Sequence, residues 1–268
     1  MNKLVIGALV GDVAGSRYEF NNIKTKIFKP VDDECCPTDD SIMTIAVWDM
    51  YLNDFLDDKE KIIDTFKKWG RKYPNAGYGG KFFYWVLGND RQPYNSFGNG
   101  AAMRISPIGW IANNEEEVKR LSYNVTSVTH DHPEGIKGAE VTAMCIYYAR
   151  IGKSKDFIRN YILSQYPEVA LLDYDDLVEN FYHGAETCQA TLPQGFYCFL
   201  ISNSFEDCLK TTISIGGDCD TTAAVSCAIA EAYYKKIPLG IGYRTLRLLP
   251  KDVLQVLKKV YNKLKENK

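Results

Sequence analysis

The sequence predicts a single all-α domain spanning residues 1–268. Three observations carry this expectation. Strand-type alternation is scarce. Apolar residues recur at helical spacing through most of the chain. The stretches between them are rich in turn-forming residues but contain no repeat, low-complexity tract or obvious linker.

Each element follows from a local pattern. The run Leu4-Val5-Ile6-Gly7-Ala8-Leu9-Val10 is at the short limit for a secretory leader, has only a thin basic start and runs into Gly11-Asp12. A buried first helix is therefore expected. Its glycines are helix-spaced, it ends near Gly15, and the loop after it carries Glu19. A second helix starts at Thr38 and holds Ile42, Ile45, Ala46, Trp48, Met50 and Leu52; a third holds Ile62, Ile63, Phe66 and Trp69. Turn-rich segments follow at residues 73–80, 89–100 and 127–132. Pro133 suits the first position of a helix. Ile136, Ala139, Ala143, Met144, Ile146 and Tyr147 then put small and apolar residues on most of its faces, which predicts a core helix. Residues 221–235 read the same way, with Ala223, Ala224, Val225, Cys227, Ala228, Ile229 and Ala230 small enough for close helix approach. Residues 251–268 pair a lysine-rich face with Leu254, Val256, Leu257, Val260, Tyr261 and Leu264, a terminal amphipathic helix.

Composition narrows the function. Hydrophobic residues make up 46% and charged residues 25%, the proportions of an ordinary globular protein, and the formal net charge is −2. That balance gives no electrostatic case for nucleic acid or an anionic membrane, and no stretch approaches a membrane span. The eight cysteines fall mostly in apolar helical patterns and form no C-x-x-C. Free thiols in a reducing, cytoplasmic setting are expected. Nothing indicates an obligate partner chain, so a monomer is the default.

The chemistry concentrates in two acidic triplets at helix starts. One is Thr38-Asp39-Asp40 after Pro37. The other is Asp218-Cys219-Asp220-Thr221 after Gly216-Gly217. Either alone reads first as a cap, since Thr and Asp are favoured there and complement the macrodipole. The repetition points further, and so does the Gly-Gly pair, which lets the backbone turn sharply beside a ligand. If the fold joins them, four carboxylates and two hydroxyls face one another. Such a set requires a hard divalent cation at neutral pH, Mg²⁺ or Mn²⁺ among the candidates.

Other segments are weaker alone. Asn95-Ser96-Phe97-Gly98-Asn99-Gly100 offers flexible backbone with free N–H groups ahead of a helix, an expected anion cradle. Tyr78-Gly79-Gly80 adds a second glycine loop. Arg104 suits a phosphate contact or a structural ion pair. His130 and His132 flank Asp131 at a helix start. Zinc is disfavoured there for want of two further ligands, leaving a hydrogen bond to ligand or to the helix end. His183 has no supporting neighbours and reads as structural. No nucleophile elbow, Walker A loop or dinucleotide fingerprint occurs.

Taken in order, GALVGDVAGSRYEF, TDDSIMT, SFGNGAAMRISPIGW, VTHDHPEGIKGAEVTA and SIGGDCDTTAAVSCAIAEAYY resemble the ADP-ribosylglycohydrolase family from Gly7 to Tyr234. The resemblance implies a helical bundle with two divalent ions, Mg²⁺ or Mn²⁺, at its centre. It implies that Thr38, Asp39, Asp40, Asp218, Asp220 and Thr221 bind metal. Glu19 would stand on a mobile loop near the metals, with Glu19, Asp40 and Asp218 as the carboxylates of the chemistry. Ser96, Phe97, Gly98, Asn99 and Gly100 would hold the diphosphate and nearby ribose, and His130 the ADP-ribose. Ser41 stands where threonine is also found, and Cys219 occupies a variable position. The loop 81–94 matches poorly and is expected to border the leaving group. The implied activity is hydrolysis of the glycosidic bond between ADP-ribose and an arginine or serine side chain, or a small ADP-ribose conjugate. A metal-dependent phosphohydrolase and a non-catalytic ADP-ribose binder are the alternatives.

Overall fold

The structure, a computed structural model, describes residues 5–181 and 186–266. Leu4 and His183 lie outside the described residues. The elements in order are α1 (Gly7–Gly15), α2 (Asp39–Leu52), α3 (Lys59–Lys72), α4 (Gly80–Leu87), α5 (Gly100–Met103), α6 (Ser106–Ile111), α7 (Glu115–Ser127) and α8 (Pro133–Arg150). Then come α9 (Lys155–Gln165), a 3-10 turn (Pro167–Leu171), α10 (Tyr174–Asn180), α11 (Cys188–Ile201), α12 (Phe205–Ile215), α13 (Cys219–Tyr234), α14 (Leu239–Leu248) and α15 (Lys251–Glu266). Among the described residues no strand forms, and the one extended pairing is an antiparallel bridge between Gly98 and Thr187. The fold is all-α, as the helical spacing predicts.

Local chemistry sets most helix starts. Asp58, Asn114, Ser154, Asp173, Thr187 and Ser204 each accept a first-turn N–H through the side chain. Such a cap satisfies donors that have no partner within the helix and contributes about 1 kcal/mol. The core is continuous and aromatic-rich, with Trp48, Phe66, Phe196, Phe199 and Phe205 fully buried. Each such ring contributes on the order of 3–5 kcal/mol against truncation to alanine. The residue 221–235 pattern forms α13, which lies at the centre and packs against α1, α8, α11 and α12. The terminal amphipathic segment forms α15, with Val253, Val256, Leu257 and Val260 buried, and it packs on α2.

One contact sets the geometry of the site. Glycines 7, 11 and 15 recur every four residues along one face of α1. A Cβ added at them would stand 2.5 Å from the Cys227 carbonyl oxygen, 2.1 Å from the Ala223 carbonyl oxygen and 2.5 Å from the Asp220 Cα. The backbones of α1 and α13 therefore touch directly. Glu231 of α13 closes the far end by accepting the N–H groups of Gly7 at 2.6 Å and Ile6 at 3.3 Å. This stacking fixes Asp12 of α1 beside Asp220 of α13.

The expected loop 81–94 is corrected. Gly80–Leu87 is helix α4, with Phe82, Trp85 and Val86 buried at helical spacing. Lys67 holds its C-terminal end by donating from Nζ to the carbonyls of Trp85 and Gly88, 2.9 Å in the second case.

Candidate active site

The two triplets meet. Asp40 and Asp220 join Asp12 in one group of carboxylates whose oxygens lie within 4.8 Å of one another, and Glu19, Asp218 and Asp220 form a second such group. Asp220 belongs to both, so five carboxylates are linked across α1, the loop after it, α2 and the start of α13.

Asp12 organises the first half. Its carboxylate accepts the Thr38 hydroxyl at 2.7 Å, the Thr38 N–H at 3.1 Å and the Ser41 N–H at 3.1 Å, and it also accepts the Ser41 hydroxyl. The free N–H groups at the start of α2 are thus capped by a residue of another helix. Thr38 reaches the Asp40 N–H only at 3.4 Å. Asp39 is fixed through its N–H, which donates to the Ala76 carbonyl at 2.8 Å.

The second half depends on backbone freedom. Gly216 and Gly217 adopt φ of +82° and +74°, the left-handed region that glycine tolerates. Their turn delivers Asp218 to the N-cap position of α13, yet its side chain caps nothing. Instead its Oδ2 accepts the Asn99 amide at 2.6 Å. Asp220 Oδ1 accepts the Thr221 N–H at 2.9 Å, and the Thr221 hydroxyl donates to Asp40 Oδ2 at 3.2 Å. Capping alone does not account for the second triplet.

The electrostatics are those of an anion cluster short of positive charge. Burial, and then the neighbouring carboxylates, hold Asp39, Asp40 and Asp220 well above the usual carboxylate range. Burial lifts Asp12 to about 6, opposed by its hydrogen bonds from Ser41 and Thr38. Two ionised carboxylates at such separations repel by roughly 3 kcal/mol at an effective dielectric of about 20. No lysine or arginine among the described residues pairs with Asp12, Asp39, Asp40, Asp218 or Asp220 within 4.0 Å. Asp40 Oδ1 is buried with no hydrogen-bond partner. An all-oxygen donor set with an orphaned buried carboxylate oxygen suits a hard divalent cation.

The cluster forms the floor of a cavity of about 380 Å³. Glu19, Thr38 and Thr221 line it, as do Ser96, Gly98, Asn99 and Gly100. Two N–H groups of the expected cradle already have partners. The Gly98 N–H donates to Ser96 Oγ at 3.2 Å and the Asn99 N–H to the Glu186 carbonyl at 3.1 Å, which takes two donors out of it. Phe97 stands outside the lining, its ring 5.0 Å from that of His132. His132 caps α8 by accepting the Glu134 N–H at 3.1 Å. His130 is buried and lines the cavity. Of the segment 81–94, Lys81, Phe82 and Tyr94 reach the lining.

Arg104 also lines the cavity. It is 1% exposed and has no carboxylate partner within 4.0 Å among the described residues. Its guanidinium lies 4.4 Å from the Phe66 ring centroid and 5.4 Å from that of Phe82, and it donates to Thr129 Oγ1 at 2.6 Å. Burial lowers its pKa to about 10.

Sequence reasoning missed Asp12 and Asn22. A lone aspartate inside an apolar helical run is the available signal for Asp12, because an unpaired buried carboxylate is costly. Asn22 joins the Glu19 loop to the Gly216-Gly217 turn. Its amide donates to the carbonyls of Tyr18 at 2.7 Å, Glu19 at 3.1 Å and Gly217 at 3.2 Å, and its oxygen accepts the Gly217 N–H at 2.8 Å. Nothing in its sequence neighbourhood announces this.

Comparison with known proteins agrees with the geometry. A family model described as ADP-ribosylglycohydrolase matches residues 3–267. ADP-ribosylhydrolase ARH3 of Bos taurus is 25% identical over 303 residues, covering 85% of this chain and 83% of its own. ADP-ribosyl-[dinitrogen reductase] glycohydrolase of Rhodospirillum rubrum is 25% identical over 215 residues, covering 76% of this chain and 71% of its own. A solved structure described as an ADP-ribosylglycohydrolase-related protein complex superposes with a TM-score of 0.70 at 23% identity, over 97% of this chain and 95% of that one.

Proposed function

The chain belongs to the ADP-ribosylglycohydrolase family, and we propose that it is a metal-dependent enzyme that hydrolyses the glycosidic bond joining ADP-ribose to an acceptor. The acceptor is an arginine or serine side chain, or a small ADP-ribose conjugate. The observation that carries this is the meeting of the Thr38 and Asp218 segments at a cavity that Ser96, Gly98, Asn99 and Gly100 also line.

Thr38, Asp39, Asp40, Asp218, Asp220 and Thr221 would hold two Mg²⁺ or Mn²⁺ ions. Bound there, the ions would supply positive charge that polarises ribose hydroxyls and favours ionisation of a water at neutral pH. The remaining work belongs to the protein. Cleavage builds oxocarbenium character at the anomeric carbon, which an acidic floor stabilises. Glu19, Asp40 or Asp218 takes or delivers the proton, since each carries a carboxylate at this floor. Asn99 joins its loop to the acidic floor, because its amide reaches Asp218 at 2.6 Å and is braced by Thr191 Oγ1 at 2.9 Å. Ser96, Gly98, Asn99, Gly100 and His130, which line the cavity, would hold the diphosphate and ribose, with Phe97 adjoining them outside the lining.

The enzyme is taken as a monomer. The eight cysteines are free thiols, which supports a cytoplasmic setting. No helix among the described residues is long and apolar enough to cross a membrane.

Product identity is the test. Incubation with ADP-ribosylated protein should yield intact ADP-ribose. AMP or inorganic phosphate as the product would instead indicate attack at phosphorus.

A further inference from the structure

We infer that Arg104 and Thr129 fix the tautomer of His130, holding it as a neutral ring whose Nε2–H is a donor facing the cavity. A guanidinium can only donate hydrogen bonds. Arg104 Nη2 donates to Thr129 Oγ1 at 2.6 Å and stands 3.3 Å from His130 Nδ1. Thr129 Oγ1 is 2.8 Å from the same Nδ1. The Thr129 oxygen accepts from Arg104 with one of its two lone pairs and keeps its hydrogen for Nδ1, and the guanidinium hydrogens beside Nδ1 favour that nitrogen as the acceptor. Nδ1 then accepts, and the ring proton sits on Nε2. The opposite tautomer would aim an N–H at the guanidinium hydrogens inside a buried site, where such opposition is costly.

The other ring edge looks the opposite way. Nε2 would lie 3.4 Å from a Cβ added at Gly100 and 3.6 Å from one added at Gly98, so it borders the glycine loop. His130 also lines the cavity. The group that Nε2–H meets must be an acceptor oxygen, and a phosphate or a ribose hydroxyl qualifies. Arg104 is thereby a positioning residue. Its cation is held 1% exposed beside Phe66 and Phe82 at the cavity lining, and it acts on the His130 ring directly and through Thr129. Burial, and then Arg104, also keep His130 from taking a second proton.

The identity of the acceptor rests on the proposed function; the tautomer does not. The test is side-chain ¹⁵N NMR of the full-length protein at neutral pH, with His130 assigned by loss of its signals in His130→Gln. The expected spectrum has Nδ1 unprotonated and Nε2 protonated. A protonated Nδ1, alone or with Nε2, overturns the inference. Thr129→Val removes one hydroxyl without adding bulk. It should remove one donor to Nδ1, shift the Nδ1 signal and weaken ADP-ribose binding about 10-fold, the effect of one lost net hydrogen bond. A Thr129→Val spectrum identical to wild type would remove Thr129 from the relay and contradict the inference. Added ADP-ribose should shift the wild-type Nε2 signal. An Nε2–H tautomer that ADP-ribose leaves unmoved would support the inference while counting against the ADP-ribose assignment of the cavity.

Discussion

The Asp12 carboxylate accepts the Thr38 hydroxyl at 2.7 Å across 26 residues of sequence, and this bond joins the first helix to the Thr38-Asp39-Asp40 triplet. Asp12 also accepts the N–H groups of Thr38 and Ser41. Asp12→Ala leaves these donors buried without a partner. The expected loss is about 2–4 kcal/mol of folding stability, from several unmade hydrogen bonds, read by urea denaturation. A change below about 0.5 kcal/mol would contradict the role given to Asp12.

Asp40→Asn should act in the other direction without metal. Asp40 Oδ1 has no partner, and the residue sits among carboxylates that repel it. Neutralising it relieves that repulsion and should raise the melting midpoint in chelator. The wild type should gain about 2.7 kcal/mol from a divalent cation at 100 times its Kd, and the variant should lose most of that gain. A variant that keeps the full cation-induced shift would remove Asp40 from the metal set.

Gly11→Val should be more damaging than either. A Cβ at this position meets the Ala223 carbonyl carbon at 2.3 Å and its oxygen at 2.1 Å. Backbone cannot move aside as a side-chain end can, so α1 must lift from α13. The cost should reach or exceed about 3 kcal/mol, the upper end for overpacking. Circular dichroism melts check this, and a fall of less than about 1 kcal/mol would mean that the helices separate easily.

Asn22→Ala should separate function from folding. Its side-chain hydrogen bonds hold the Glu19 loop against the turn that presents Asp218. Cation affinity or kcat/KM should fall about 10–100-fold, as for other residues that orient metal ligands. Unchanged values for both would show that the loop is positioned by other means.

The pH dependence of stability has a definite sign at His130. Burial, and then Arg104, lower its pKa below the ordinary 6.5. The unfolded chain therefore binds the extra proton first as pH falls. The stability contribution is complete above 6.5 and is lost as pH falls below it, by up to about 1.4 kcal/mol per pH unit. Asp12, raised to about 6, contributes with the opposite sign. Comparing wild type with His130→Gln isolates the histidine. The stability difference between them should shrink in favour of the variant from pH 7.5 to 5. Parallel curves would contradict the neutral buried ring.

Much of this molecule was legible in its sequence, for reasons particular residues make plain. Thr38-Asp39-Asp40 and Asp218-Cys219-Asp220-Thr221 stand out because they repeat and because Gly216-Gly217 needs an explanation beyond capping. The core helices α8 and α13 are readable from small and apolar residues on most faces. Helix α4 was not, because it is short and its glycine-rich entrance reads as a turn. Asp12 and Asn22 stayed hidden because their partners, Thr38 and Gly217, are distant in sequence and bond partly through backbone. Such contacts leave little residue-type signature.

The most direct test of the central claim is release of ADP-ribose from arginine- and serine-ADP-ribosylated proteins, measured with Mg²⁺ or Mn²⁺ and then with chelator. Cation-dependent release from one of them, abolished by Asp218→Asn, is the expected result. Release that persists in chelator, or no release from either substrate under any condition, would contradict a metal-dependent ADP-ribosyl hydrolase acting on protein side chains.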